Sequence, residues 1–145
     1  YMFLTTYGFI AGLVVLVNPS DVFVNTIGLN LQTMIHHSIM VFTAIYLFSS
    51  GSLKLKYSSM NQAVALFLLL VTTALILNFS IHGQVDTDFN MFFLSPYYAP
   101  TSFIALFIVN NFGYLSYLIS YIILFSVASY LVFLILLKIN KYKIK

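Results

Sequence analysis

Long apolar runs alternate with short polar breaks along the chain. Residues 1–17 form the first run, and Asn18-Pro19-Ser20-Asp21 ends it, because a proline and the residue before it disfavour helix. Residues 31–49 form the second, closed by Ser50-Gly51-Ser52 and a loop with Lys54 and Lys56. Residues 61–81 follow, and then a polar stretch, 82–90, that holds His82, Asp86 and Asp88. Residues 114–137 are the last run, and Lys138, Lys141, Lys143 and Lys145 come after it. A spanning helix needs roughly 20 mostly apolar residues. The pattern therefore predicts an all-α integral membrane protein: one transmembrane domain over 1–145 with about four transmembrane helices, at approximately 1–17, 31–49, 61–81 and 114–137. No internal repeat or linker interrupts it.

Residues 91–110 are apolar but broken by Pro96 and Pro100. Topology arbitrates here, because lysines that flank spans stay cytoplasmic. With four spans, the Lys54/Lys56 loop and the lysine-rich tail lie on the same, cytoplasmic side, and the Asp21 and Asp86/Asp88 loops lie outside. A fifth span would separate the two lysine clusters. Residues 91–110 are therefore predicted to be re-entrant or interfacial. Irregular backbone is tolerated at membrane depth only where protein buries it or water reaches it, so this segment is a candidate cavity wall. The expected location is the cell membrane, multi-pass, with a cytoplasmic C-terminal tail.

Composition strengthens this picture. Hydrophobic residues are 61% of the 145 and charged residues 6%, with mean hydropathy +1.01. Soluble domains carry about 25% charged residues, and this chain is far too poor in charge to cover a water-facing surface. The net charge of +3 comes from lysines at membrane edges, which speaks for orientation and against nucleic acid as a partner. Membrane lipids are the expected partners. With no cysteine, the chain has no disulfide and no thiolate nucleophile or ligand. It begins at Tyr1 inside an apolar run, without a basic n-region, which argues against a signal peptide and predicts an N-terminal truncation. Gly8 and Gly12 have the GxxxG spacing that lets helices approach closely and offers a route to a helix–helix oligomer. Two small residues are equally ordinary in a membrane helix.

Candidate chemistry starts at LQTMIHHSIM, where His36 and His37 sit side by side. In the predicted topology they lie roughly 8–9 Å in from the outer end of the second span, and Asn78 lies roughly 5 Å from the outer end of the third. Asn90 and the broken 91–110 segment follow on the same side, so these groups are expected to meet near the outer leaflet. Neighbouring helical residues point about 100° apart. His36 shares a stripe with Gln32 and Thr43, and His37 shares one with Asn30 and Thr33. An i, i+1 spacing without Cys or Glu does not suit a metal, and neither metal nor cofactor is expected. Proton transfer suits imidazole, which titrates near neutral pH. Hydrogen bonding between helices is the competing reading. His82 reads as solvated. Thr72 and Thr73 read as bonded to their own helix, Tyr97, Tyr98, Tyr114 and Tyr117 as interfacial aromatics, and Ser116, Ser120, Ser126 and Ser129 as close-packing positions. No Ser-His-Asp triad or phosphate-binding loop is visible.

The stretch Gln32-Thr33-Met34-Ile35-His36-His37-Ser38, with Tyr46 after it, resembles the "QTxxHHG" helix of the bacterial YwaF-type integral membrane proteins. Asn78, followed by Phe89-Asn90-Met91-Phe92-Phe93-Leu94 and Pro96, resembles that family's "N…NYMFL…P" segment. Gly8, Gly12 and Pro19 fit its preceding Gly-rich helix and Pro turn. The family is similar to eukaryotic transmembrane protein 164, a phospholipid acyltransferase. That relation implies a Cys nucleophile on an upstream helix and a His on a later one. His37 best matches the family's His, and Ser38 replaces the usual Gly. The Cys-bearing helix is absent from these residues and is expected before Tyr1. The resemblance implies lipid acyl transfer with His37, or His36, as acid or base. Asn78 or Asn90 would stabilise the oxyanion, and Gln32 and Pro96 would contact substrate. The rival is a transporter-like or structural bundle, in which the His pair serves proton coupling or packing.

Overall fold

In the computed structural model the chain is built from helices, with no β-strand among the described residues. Those residues are 1–19, 22–23, 25–82, 84, 89–98, 100 and 102–143, with side chains through 140. The three aspartates, and with them the acidic loops of the predicted topology, lie outside the described residues.

A π-helical stretch, Leu4–Gly8, leads into α1, Phe9–Val17. Thr5 and Thr6 are buried there without cost, because their hydroxyls donate to Tyr1 O (3.1 Å) and Met2 O (2.9 Å) in the preceding turn. The helix stops at Asn18, as the Asn-Pro pair predicts. Leu4–Val17 is about 21 Å long, short of the roughly 30 Å hydrocarbon core. Among the described residues, three helices are long and apolar enough to cross a membrane: α2 (Ile27–Ser49), α3 (Tyr57–Ile81) and the 103–140 part of α4 (Phe103–Lys143). Helices cover the second and third apolar runs, and each starts four residues earlier than the run predicts.

Within 91–110 the described residues divide in two: after a 3-10 turn at Met91–Phe93, residues 94–98, 100 and 102 are irregular, and residues 103–110 are helical. Pro96 and Pro100 explain the break but do not extend it. After them comes FIALFIV, which has no helix breaker, and the Ser102 hydroxyl accepts from Ala105 N (3.3 Å) as a cap. This helix then kinks at Gly113, whose φ of 80° and ψ of 170° suit glycine alone. The kink separates residues 103–112, about 15 Å of apolar helix and too short to cross, from the long span after it. No neighbouring atom lies within 4 Å of a Cβ built on Gly113, so the backbone angle is the whole constraint. Gly113→Ala is expected to cost about 1–3 kcal/mol by thermal unfolding in detergent, and an unchanged midpoint would show that the kink is not needed.

The chain forms two compact units, Tyr1–Val64 with Phe125–Lys145, and Ala65–Leu124. In the first, α1 packs on α2 at Gly12, the Tyr7 hydroxyl donates to Ser126 Oγ (3.2 Å), and the rings of Tyr57 and Phe133 meet edge-on at 5.3 Å. The second is organised around the irregular turn that follows α3. Along α3, Met60, Ala63, Phe67, Val71, Ala74 and Asn78 are buried, a 3-4-4-3-4 spacing that traces one helical face. Asn78 is the one polar member of that stripe. Thr72 and Thr73, on the exposed side, donate to Leu68 O and Leu69 O (both 2.9 Å), as expected.

Candidate functional site

The predicted site residues fall in both units. His36, His37 and Gln32 belong to the first, and Asn78, Asn90 and Pro96 to the second.

The two histidines have different surroundings, as their angular separation on α2 requires. His37 is half-buried on the side that meets α1, where its carbonyl oxygen lies 2.9 Å from the position of a Cβ on Gly12. Its ring is held by a 2.8 Å hydrogen bond between Nδ1 and Thr33 O. A carbonyl only accepts, so Nδ1 carries the hydrogen, and in the neutral ring the lone pair is on Nε2. His36 is exposed, about 100° further round the helix, with its ring edge-on to His37 at 5.2 Å. It shares a shallow groove of about 420 Å³ with Gly28, Leu31, Gln32, Ile35 and Ile39. Among the described residues, no three His, Cys, Asp or Glu side chains lie close enough together to hold a metal ion.

In the second unit, Asn78 is fully buried, and both ends of its amide grip the backbone of Met91. Nδ2 donates to Met91 O (3.0 Å) and Oδ1 accepts from Met91 N (2.8 Å), as a strand neighbour would. Asn90 Oδ1 accepts from Ser95 N (2.9 Å) and closes the turn from within. Phe92 and Phe93 both have φ near +60°, a left-handed conformation that costs roughly 1–2 kcal/mol per non-glycine residue. Two tyrosines on α4 brace this strain: Tyr117 Oη donates to Phe93 O (2.9 Å) and Tyr114 Oη to Leu94 O (2.7 Å). Pro96, half-buried, follows at the foot of the turn.

Asn78 thus commits both ends of its amide to the turn's own backbone, and Asn90 commits its oxygen there. Tyr114 and Tyr117 read from sequence as interfacial aromatics, yet their hydroxyls fasten the turn. Nothing in the sequence marks them except a three-residue spacing that puts both on one helical face. His82 is half-buried, not solvated: its ring stacks on Tyr97 at 3.7 Å, and its Nδ1 has no hydrogen-bond partner among the described residues. No protein-family model, curated protein or solved structure matches the chain.

Proposed function

We propose that the chain is the histidine-bearing part of a YwaF-like cell-membrane protein that transfers acyl groups between membrane lipids, with His37 as the proton-transferring group. The observation that carries this reading is the hydrogen bond from His37 Nδ1 to Thr33 O. It fixes the tautomer and direction of the ring and leaves Nε2 as a base, which is how oriented histidines are prepared for catalysis. The helix α2 carries three candidate contacts with one motif, Gln32, His36 and His37, and its resemblance to the YwaF-type helix supports the same role.

In the transfer, a nucleophile attacks the ester carbonyl of a lipid while His37 Nε2 takes its proton. The tetrahedral intermediate collapses, the ester C–O bond breaks, and the imidazolium returns the proton to the departing glycerol oxygen. The acyl group then passes to a second lipid hydroxyl by the same steps in reverse. The thiol implied by the resemblance is not among the 145 residues, none of which is cysteine. Asn78 and Asn90 shape the turn in this scheme and do not touch the reacting atoms. A cytoplasmic C-terminal tail belongs to the same proposal.

A second reading, a non-catalytic bundle, draws support from Asn78, whose amide serves folding at both ends. Lipid mass spectrometry of membranes containing the full-length protein separates the two. His37→Ala is expected to reduce acyl transfer about 100-fold or more, and His36→Ala to do less. An acyl-chain profile unchanged by His37→Ala leaves the bundle reading standing.

A further inference from the structure

The exposed face of α2 poses a separate problem. Gly28, Gln32 and His36 recur every fourth residue, flanked by Leu31, Ile35 and Ile39, and together they line the shallow groove. Gln32 and His36 are both exposed. With 23 residues, α2 is about 34 Å long against a hydrocarbon core of roughly 30 Å, so its two ends sit near the two boundaries. By the same rise, Gln32 lies about 5 Å and His36 about 11 Å below the nearer boundary. An amide and an imidazole at those depths find no water, and an unpaired hydrogen-bonding group in hydrocarbon costs several kcal/mol. Lipid headgroups and ester carbonyls rest near the boundary and reach these side chains only by moving inward. Another helix reaches that depth.

We infer that this face of α2 is an interface with the α2 helix of a second copy of the chain. Three features of the face favour a copy of itself. Gln32 and His36 each bear a donor and an acceptor, so the stripe is its own hydrogen-bonding complement. No Lys or Asp lies on it, so two copies meet without fixed charges opposed. A two-fold axis along the membrane normal brings equal depths together, so polar groups meet polar groups and the Leu31, Ile35 and Ile39 flanks meet one another. Gly28 has no atom within 4 Å of a Cβ position, which leaves room for a facing side chain to enter the groove. This interface is distinct from the Gly12 side of α2, which α1 already occupies. It does not depend on the lipid chemistry proposed for His37.

The 145 residues hold no cysteine, so with any cysteine outside them changed to serine, single-cysteine variants report on the interface directly. In native membranes, oxidation of Ile39→Cys or Ile35→Cys in the full-length protein is expected to give a disulfide-linked dimer. Ile45→Cys, also exposed but on another side of α2, is expected to stay monomeric. Adding Gln32→Leu and His36→Leu to Ile39→Cys should lower the dimer fraction about five-fold or more at equal expression. Equal cross-linking from Ile45→Cys, no dimer from either groove variant, or cross-links to a different protein would each overturn the inference. So would a dimer fraction unaffected by the leucine pair.

Discussion

Replacing Asn78 with leucine is expected to lower the unfolding free energy by roughly 2–4 kcal/mol, because it strands Met91 N at about 1–3 kcal/mol and removes one of the two hydrogen bonds to Met91 O, the other coming from Leu94 N (3.2 Å), at about 1 kcal/mol. Leucine keeps the branched four-heavy-atom outline of asparagine but is bulkier and not planar, so some overpacking at the fully buried site adds to the loss of hydrogen bonds. Met91 N would then have no partner from α3, and the left-handed Phe92 and Phe93 would be held by the α4 tyrosines and by the turn's own bonds, Leu94 N to Met91 O and Ser95 N to Asn90 Oδ1. Asn78→Asp is a stricter version: it keeps an oxygen for Met91 N but turns a second oxygen toward Met91 O, where a donor is needed. Titration with a denaturing detergent measures both. A loss below about 0.5 kcal/mol for the leucine variant would show that the turn stands without α3.

Gly12→Ala is the second substitution expected to have a large effect. A Cβ there would lie 2.8 Å from Val41 Cγ2 and 2.9 Å from His37 O. A β-branched methyl and a helix backbone have little freedom to retreat, so α1 must move away from α2, at about 1–3 kcal/mol. The movement would also shift the backbone that carries His37. Gly8→Ala is the matched control: its Cβ meets nothing closer than 3.8 Å, and alanine favours helix over glycine by roughly 0.5–1 kcal/mol. The pair should therefore differ in sign by thermal unfolding in detergent. Equal effects from both would show that the close approach at Gly12 is not what holds α1 on α2.

These two sites show where sequence is informative and where it is not. The runs at 31–49, 61–81 and 114–137 are legible because apolar length is a property of the residues themselves, and all three lie within helices of the structure. Asn78 is conspicuous as a polar residue inside a span. Its partner is invisible, because it is the backbone of Met91, and a backbone group has no letter. The same holds for Tyr114 and Tyr117, whose acceptors are carbonyls. Pro96 and Pro100 mark where helix fails but not where it resumes, so the start at Phe103 was hidden. The His pair had to point two ways, by helical geometry. Which of them meets α1 depended on Gly12, and GxxxG spacing alone does not say whether the close approach is to another copy or, as at Gly12, to α2 of the same chain.

The braced turn also implies an order of assembly. The Asn78 bonds to Met91 join residues 13 apart in sequence, whereas those of Tyr114 and Tyr117 to Leu94 and Phe93 join residues 20 and 24 apart. Shorter loops close at lower entropic cost, and a chain emerging from the ribosome presents Met91 to Asn78 before either tyrosine exists. The clamp from α3 is therefore an early event in biogenesis, and the two hydroxyls from α4 are a late one. Until Tyr114 and Tyr117 have been synthesised, the turn has its first attachment but lacks the second. In that interval Asn78 and the turn's own bonds, such as that of Ser95 N to Asn90 Oδ1, shape the turn that the last helix must find.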